Sequence, residues 1–234
     1  MTAVRGKRRA MVLAVRWAGH CPPPNLLPPA EQEHARGLPP WRARQWTTGR
    51  LTARAALLLY LRELPADLEI LPAPDGAPVP SRTALALSIA HCDEWTACAC
   101  GPAGHALGVD VEEPGACDDA LLARVSRPGD TLPNLKTATH GWARKEAAFK
   151  ACRGDPPVLA SYRLAGPGQV VASGRAATAD RTLATWSAAL PGAVLAVAGT
   201  DPRPPLLRIL DAAAVLTAVA SRPGRPAPGE HAHA

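Results

Sequence analysis

One segment of helix length, Trp142-Ala143-Arg144-Lys145-Glu146-Ala147-Ala148-Phe149-Lys150-Ala151, carries the densest chemistry in this 234-residue chain. It contains four alanines and neither Gly nor Pro, which predicts a helix. At helical spacing Trp142, Glu146 and Lys150 stand four apart, placing an aromatic ring, a carboxylate and an ammonium on one face. Upstream, Gly108-Val109-Asp110-Val111-Glu112 alternates apolar with acidic residues, a strand pattern that projects Asp110 and Glu112 from the same face. Two carboxylates side by side repel each other unless a cation lies between them. Oxygen donors of this kind suit a hard ion, Mg²⁺ or Mn²⁺, which takes one or two carboxylates together with substrate phosphates. Glu146, delivered from the helix, would supply a third donor. Each segment alone has a simpler use, the Glu–Lys pair on a solvated helix face and Asp-x-Glu at a solvated strand end.

Taken together, the two segments resemble the signature of the 4′-phosphopantetheinyl transferase superfamily, in its larger class that activates surfactin and siderophore synthetases. That signature is an apolar-Gly-apolar-Asp-x-Glu strand followed by Trp/Phe-x-x-Lys-Glu-Ala/Ser-x-x-Lys on a helix. Residues 107–112 and 142–150 match it in order. The resemblance implies transfer of 4′-phosphopantetheine from coenzyme A to a serine of an acyl- or peptidyl-carrier protein, with release of 3′,5′-adenosine bisphosphate. It implies Mg²⁺ or Mn²⁺ on Asp110, Glu112 and Glu146, and a catalytic group of Asp110, Glu146 and Lys150. In those roles Glu146 takes the serine proton, and Lys150, with Lys145 or Arg50 nearby, stabilises charge on the leaving phosphate.

Coenzyme A contacts are implied for Arg50, Arg54, His91, Lys145 and Lys150. Gly49-Arg50 with Arg54 resembles the family's arginine-bearing helix. Ser88-Ile89-Ala90-His91-Cys92 resembles its Ser-x-Ser-His-Ser strand end, with the His-Cys ending of the siderophore branch. Two stretches depart from the pattern. Gly76-Ala77-Pro78 stands where many members carry Gly-Lys-Pro, so the lysine contact is missing or comes from elsewhere, Arg82 being one source. Val125-Ser126-Arg127-Pro128-Gly129-Asp130 only partly echoes a Phe-Ser/Thr-x-x-Glu motif of the region that docks the carrier. Two competing readings are a catalytically degenerate protein that binds coenzyme A or a carrier, and a Mg²⁺-dependent nuclease. Against the first, the three carboxylates and both lysines are intact. Against the second, the basic residues gather on one helix instead of along a nucleic-acid track.

The elements that must position these groups follow from pattern and punctuation. Met11 to Trp17 reads as a buried strand, and Trp41 to Leu64 as the longest helix, stopped by Pro65. Leu85–Cys92 and Trp95–Ala99 predict two strands joined by a turn, and Asp118–Val125 a helix. Short strands are expected at Ser161–Leu164, Gln169–Ala172, Leu183–Ser187 and Val194–Ala198. Leu206–Ala220 reads as a terminal helix, and Ser221–Ala234, with His231 and His233, as a disordered tail. The resemblance implies an α+β fold, a monomer of two similar α/β half-domains in pseudo-two-fold arrangement. Residues 1–114 would form the coenzyme A half with the Asp-x-Glu strand, 115–205 the half with the Trp-x-x-Lys-Glu helix, and 206–234 the terminal helix and tail.

Composition narrows the class. Hydrophobic residues make up 47% of the chain, enough for a core, and 26 prolines call for short elements and many loops. A net charge of +6 suits an acidic partner or a polyphosphate. No zinc-finger spacing, basic heptad region or RNP-like strand speaks for nucleic acid, and no stretch approaches the ~20 apolar residues of a membrane span. The run Met11–Val15 after Arg5, Lys7, Arg8 and Arg9 is too short for the apolar core of a signal peptide. The six cysteines are irregularly spaced, and Cys98-Ala99-Cys100 fits a buried strand better than a metal knuckle. A reduced, cytoplasmic protein is expected.

Overall fold

The computed structural model describes residues 8–130, 138–173 and 179–220. The expected tail at 221–234, with His231 and His233, lies outside them. The chain runs through β1 (Met11–Arg16), α1 (Pro29–Arg36), α2 (Pro40–Leu61), β2 (Ile70–Pro72) and β3 (Pro78–Pro80). Strands β4 (Leu85–His91), β5 (Trp95–Pro102) and β6 (Leu107–Glu112) follow, then α3 (Asp119–Val125) and α4 (Ala138–Ala151). The remainder is β7 (Tyr162–Leu164), β8 (Gln169–Ala172), β9 (Arg181–Leu190), β10 (Ala193–Gly199), β11 (Leu206–Asp211) and α5 (Ala212–Ala220). This is a mixed α+β architecture. No helix among the described residues is long and apolar enough to cross a membrane.

Two larger sheets form, in the orders β11-β1-β5-β4 and β6-β10-β9-β8-β7, with β2 and β3 as a separate hairpin. Strand periodicity sorts their side chains into layers. On β1, Leu13 and Val15 face the cluster built with Leu51 and Leu57 of α2, while Val12 and Ala14 turn the other way. There they meet Val109 and Val111 of β6 and Leu195 and Val197 of β10. On β10 the alternate residues Val194, Ala196 and Ala198 face α4 with its Ala143, Ala147 and Ala151. The order is thus helix, sheet, sheet, helix. Residues Thr47 to Leu57 of α2 are all buried, so the middle of this helix is enclosed while both ends reach solvent.

The sheets do not follow the expected division at residue 114. Strand β6 belongs to the second sheet, antiparallel to β10 with Asp110 opposite Ala196. The segment at 206–220 is not one helix. Residues 206–211 pair in parallel with β1, Met11 opposite Leu206 and Arg16 opposite Asp211. The reason is backbone satisfaction: β1 is buried, and without β11 one row of its amides and carbonyls would lack partners. Asp211 then starts α5 by accepting the Ala214 N–H at 2.8 Å, an N-cap within a run of apolar residues. Helix α2 ends earlier than Pro65, where Arg62 adopts left-handed φ of 75° and donates its N–H to the Leu58 carbonyl.

One glycine sets the spacing between β6 and α4. A β-carbon on Gly108 would overlap the Ala147 carbonyl oxygen and lie 2.5 Å from the Ala151 nitrogen. Helix backbone therefore rests directly on strand backbone, and the small side chains of Ala143, Ala147 and Ala151 permit it. Gly108→Ala must push α4 away from the sheet. Its midpoint in urea should fall by an amount equivalent to about 1–3 kcal/mol, the usual effect of overpacking. An unchanged midpoint would mean that the helix can move outward freely.

Candidate active site

Asp110 and Glu112 reach α4 because their neighbours Val109 and Val111 face the inter-sheet core. The junction of the sheets is pinned where the Val109 N–H donates to Ser88 Oγ on β4 at 3.1 Å. Asp110 is 4% exposed. Its Oδ1 accepts from Lys150 Nζ at 2.7 Å, and its Oδ2 is buried with no hydrogen-bond partner. Glu112 Oε1 accepts the Trp142 indole N–H at 3.2 Å. Glu146, one turn before Lys150, is half-buried on the same helix face. The helix face read from the sequence, Trp142–Glu146–Lys150, is thus the one turned to the Asp-x-Glu strand.

The three carboxyl groups sense one another. Burial, then the charge of Asp110, pushes Glu112 up to about 7. Glu146 is raised by burial and then by Asp110, against the opposing pull of Lys150. Asp110 is raised by burial, with Lys150 as the chief opposing charge. Packing so much carboxylate around one ammonium leaves an excess of proton affinity, the electrostatic condition under which a divalent cation binds and displaces protons. The donor chemistry fits: all-oxygen ligands, one of them a buried carboxylate oxygen without a partner. Among the described residues, however, no three acidic, His or Cys side chains are already drawn onto a common point. Lys150 sits on Asp110 instead.

Lys150 also lines a cleft of about 700 Å³. Its walls are the loop at 75–80, strand β4, the turn at 103–107 and the end of α4 up to Gly154. Gly76, Ala77 and Pro78 line it, so the loop with Ala77 in the lysine position does face this space. Arg82 does not: it pairs with Asp67 at 2.7 Å outside the lining. The cation beside the loop is Arg153, which pairs with Asp75. In the sequence Arg153 is marked only by the Arg-Gly pair that ends the helix, and nothing in that pattern reveals that the chain turns back toward residue 75.

His91 ends β4, and burial, then Lys150 and Arg42, pushes its ring down to about 4. It is neutral near pH 7 and meets a ligand through hydrogen bonds, not charge. Three other cations expected at the coenzyme are placed in the core. Arg50 is buried, donates from Nε to the Ile70 carbonyl at 2.6 Å and stacks 3.7 Å from the Trp46 ring centroid. Arg54 Nη2 pairs with buried Glu31 at 2.5 Å and with the Leu68 carbonyl at 2.9 Å. Lys145, wholly buried, donates to the Val125 carbonyl and to Asp130 Oδ2. Asp130 also accepts the Arg127 and Leu164 amides, so the partial motif at 125–130 ties α4 to β7. A buried cation costs too much unless paired, and each of these has its partner inside the fold.

The raised affinity of Glu112 for a proton has a consequence for stability. Relative to an ordinary value of 4.5, a folded value near 7 favours folding below about 4.5 and loses that contribution as pH climbs through 7. Glu112→Gln, which cannot ionise, should therefore raise Tm by a few degrees at pH 8 in chelator. At pH 4.5 it should change Tm little, and an equal shift at both pH values would exclude ionisation as the cause.

No family model matches the chain. The chain is similar to 4′-phosphopantetheinyl transferase Svp of Streptomyces mobaraensis, at 34% identity over 142 residues. That alignment covers 55% of this chain and 55% of the Streptomyces protein, so the chain spans about half the length of the curated relative it matches. Over that half, the comparison supports the superfamily that the Asp-x-Glu and Trp-x-x-Lys-Glu motifs resemble.

Proposed function

We propose that this protein transfers 4′-phosphopantetheine from coenzyme A to a serine hydroxyl of an apo acyl- or peptidyl-carrier domain. The observation that carries the reading is the double placement of Lys150. Its ammonium lines the cleft and holds Asp110 at 2.7 Å, beside Glu112 and Glu146. A ligand whose diphosphate reached Lys150 would bring its reacting phosphorus to the carboxylates, with the rest of the coenzyme along the cleft. The partial likeness to the Streptomyces transferase supports the same reaction. The reading includes a monomer of the larger class, with each sheet and its outer helix as one of two related units.

In the reaction, the serine oxygen attacks the phosphorus on the pantetheine side of the diphosphate. A new P–O bond forms, the bond to the bridging oxygen breaks, and 3′,5′-adenosine bisphosphate leaves. Asp110, Glu112 and Glu146 would hold Mg²⁺ or Mn²⁺, which when bound neutralises the diphosphate and acts as a Lewis acid. Glu146, half-buried with raised proton affinity, accepts the serine proton. Lys150 supplies positive charge to the leaving phosphate. His91, neutral and half-buried at the end of β4, orients the coenzyme by a hydrogen bond. Substitutions separate these roles. Lys150→Ala should lower the single-turnover rate about 10²–10³-fold, as expected for loss of a preorganised electrostatic donor.

Intact-mass spectrometry tests the reading directly. An apo carrier protein incubated with this protein, coenzyme A and Mg²⁺ should gain one phosphopantetheine arm, and excess chelator or Asp110→Ala should abolish the gain. No gain on several carriers, with coenzyme A still raising Tm, would replace the transferase by a degenerate binder. No effect of coenzyme A on Tm would favour the nuclease.

A further inference from the structure

The cleft holds one cation that no motif assigns and that the fold keeps paired only with a side chain of the opposite wall. Arg153 follows α4, three residues after Lys150, at a left-handed φ of 57°. A non-glycine residue in that region is uncommon, and here it directs the chain away from the helix axis just before Gly154. The guanidinium meets Asp75 with two contacts, Nε to Oδ2 at 2.6 Å and Nη2 to Oδ1 at 2.9 Å. Asp75 belongs to the tight turn between β2 and β3, where its Oδ1 also accepts the Ala77 N–H at 3.2 Å. Both residues line the cleft, and both are substantially open, with side chains 52% and 37% exposed.

Its situation differs from that of Arg50 and Arg54 on α2. Arg50 and Arg54 are buried among fixed carbonyl and carboxylate partners that no ligand can replace without unfolding. The Arg153–Asp75 pair is solvent-exposed, and such pairs contribute about 0–1 kcal/mol, so opening it is easy. The planar fork that grips a carboxylate grips a phosphate in the same bidentate way. The turn at 75–78 offers no lysine of its own, and Lys150 is partly occupied by Asp110.

We propose that Arg153 is the phosphate-binding residue on the loop side of this cleft, and that Asp75 occupies its guanidinium until a phosphorylated ligand displaces it. The proposal rests on the coenzyme reading of the cleft, and it adds a competitor: Asp75 lowers affinity by holding the cation it must release. Removing the cation and removing the competitor should therefore act in opposite directions. That antisymmetry is not expected of a salt bridge that merely braces the loop, where either substitution would loosen the same contact.

Calorimetric titration decides it, with coenzyme A and, separately, inorganic pyrophosphate as ligands of the full chain. Arg153→Ala should weaken coenzyme A binding about tenfold, the loss of a charge-assisted bidentate contact. Asp75→Asn should tighten it severalfold at low ionic strength, and 0.5 M NaCl should shrink both effects. Melting curves of the unliganded variants should stay close to wild type, as for other exposed pairs. Equal affinity of wild type and Arg153→Ala for both ligands would overturn the proposal, as would a loss of affinity in Asp75→Asn. Failure of wild type to bind coenzyme A would overturn the function proposed above. The pyrophosphate arm then still judges Arg153, because a tenfold loss in Arg153→Ala supports the phosphate site, and no loss or no binding rejects it.

Discussion

Helix α4 rests on strand β6 with no side chain between their backbones at Gly108, and the meeting of Asp110 and Glu112 with Glu146 and Lys150 depends on that contact. From that crossing a strand advances about 3.3 Å per residue and a helix about 1.5 Å, a difference that the long side chain of a lysine can span. Asp110 lies two residues beyond Gly108, and Lys150 one residue before Ala151, whose amide nitrogen faces Gly108. The ammonium therefore arrives at the carboxylate without the helix having to bend. A larger residue at 108, or leucines in place of Ala143, Ala147 and Ala151, would lift the helix by several ångströms. The 2.7 Å contact would then open into a gap filled by water.

That same closeness creates the electrostatic problem at the site. Three carboxyl groups and one ammonium share a space partly removed from water, and Glu112 responds by holding its proton to about pH 7. Two other buried carboxylates among the described residues each have a cation of their own. Glu31 is wholly buried, yet one of its oxygens accepts both from Arg54 and from the Ile70 amide. Asp130 is satisfied by Lys145 and two backbone amides. The three clustered carboxyl groups thus share one ammonium, whereas Glu31 and Asp130 each meet a cation of their own.

The juxtaposition of the Trp142–Glu146–Lys150 face with the Asp-x-Glu strand is more legible in the sequence than the partner of each cation. Trp142, Glu146 and Lys150 were legible because the 3.6-residue period places them on one side, and Asp110 and Glu112 because the two-residue period does the same. Most strands were legible from apolar runs bounded by Gly and Pro. Strand β11 was hidden because Leu206-Leu207-Arg208-Ile209-Leu210 suits either element, and only the open edge of β1, far away in sequence, decides between them. Arg50, Arg54 and Lys145 are expected at the coenzyme from the sequence, since no local pattern announces that Glu31, the Ile70 carbonyl or Asp130 will enclose them. A basic residue on a helix announces its charge but not its neighbour, and the neighbour decides whether the charge is available.

Unsatisfied polar atoms are distributed in keeping with that division. Among the described residues four buried side-chain atoms lack a hydrogen-bond partner, on Glu31, Arg54, Thr83 and Asp110. Two of these belong to one ion pair in which the remaining atoms are well bonded, so the fold tolerates them as the edge of a satisfied network. Thr83 lines the cleft, and Asp110 stands where the cleft meets the carboxylates. An unpartnered buried acceptor costs about 1–3 kcal/mol in an otherwise closed core. Hydrophobic substitution of Thr83 would relieve that cost, whereas at Asp110 it would also strip Lys150 of its partner. Under the proposed function either change would remove a polar group available to the coenzyme or its cation, so stability and recognition oppose each other at Thr83.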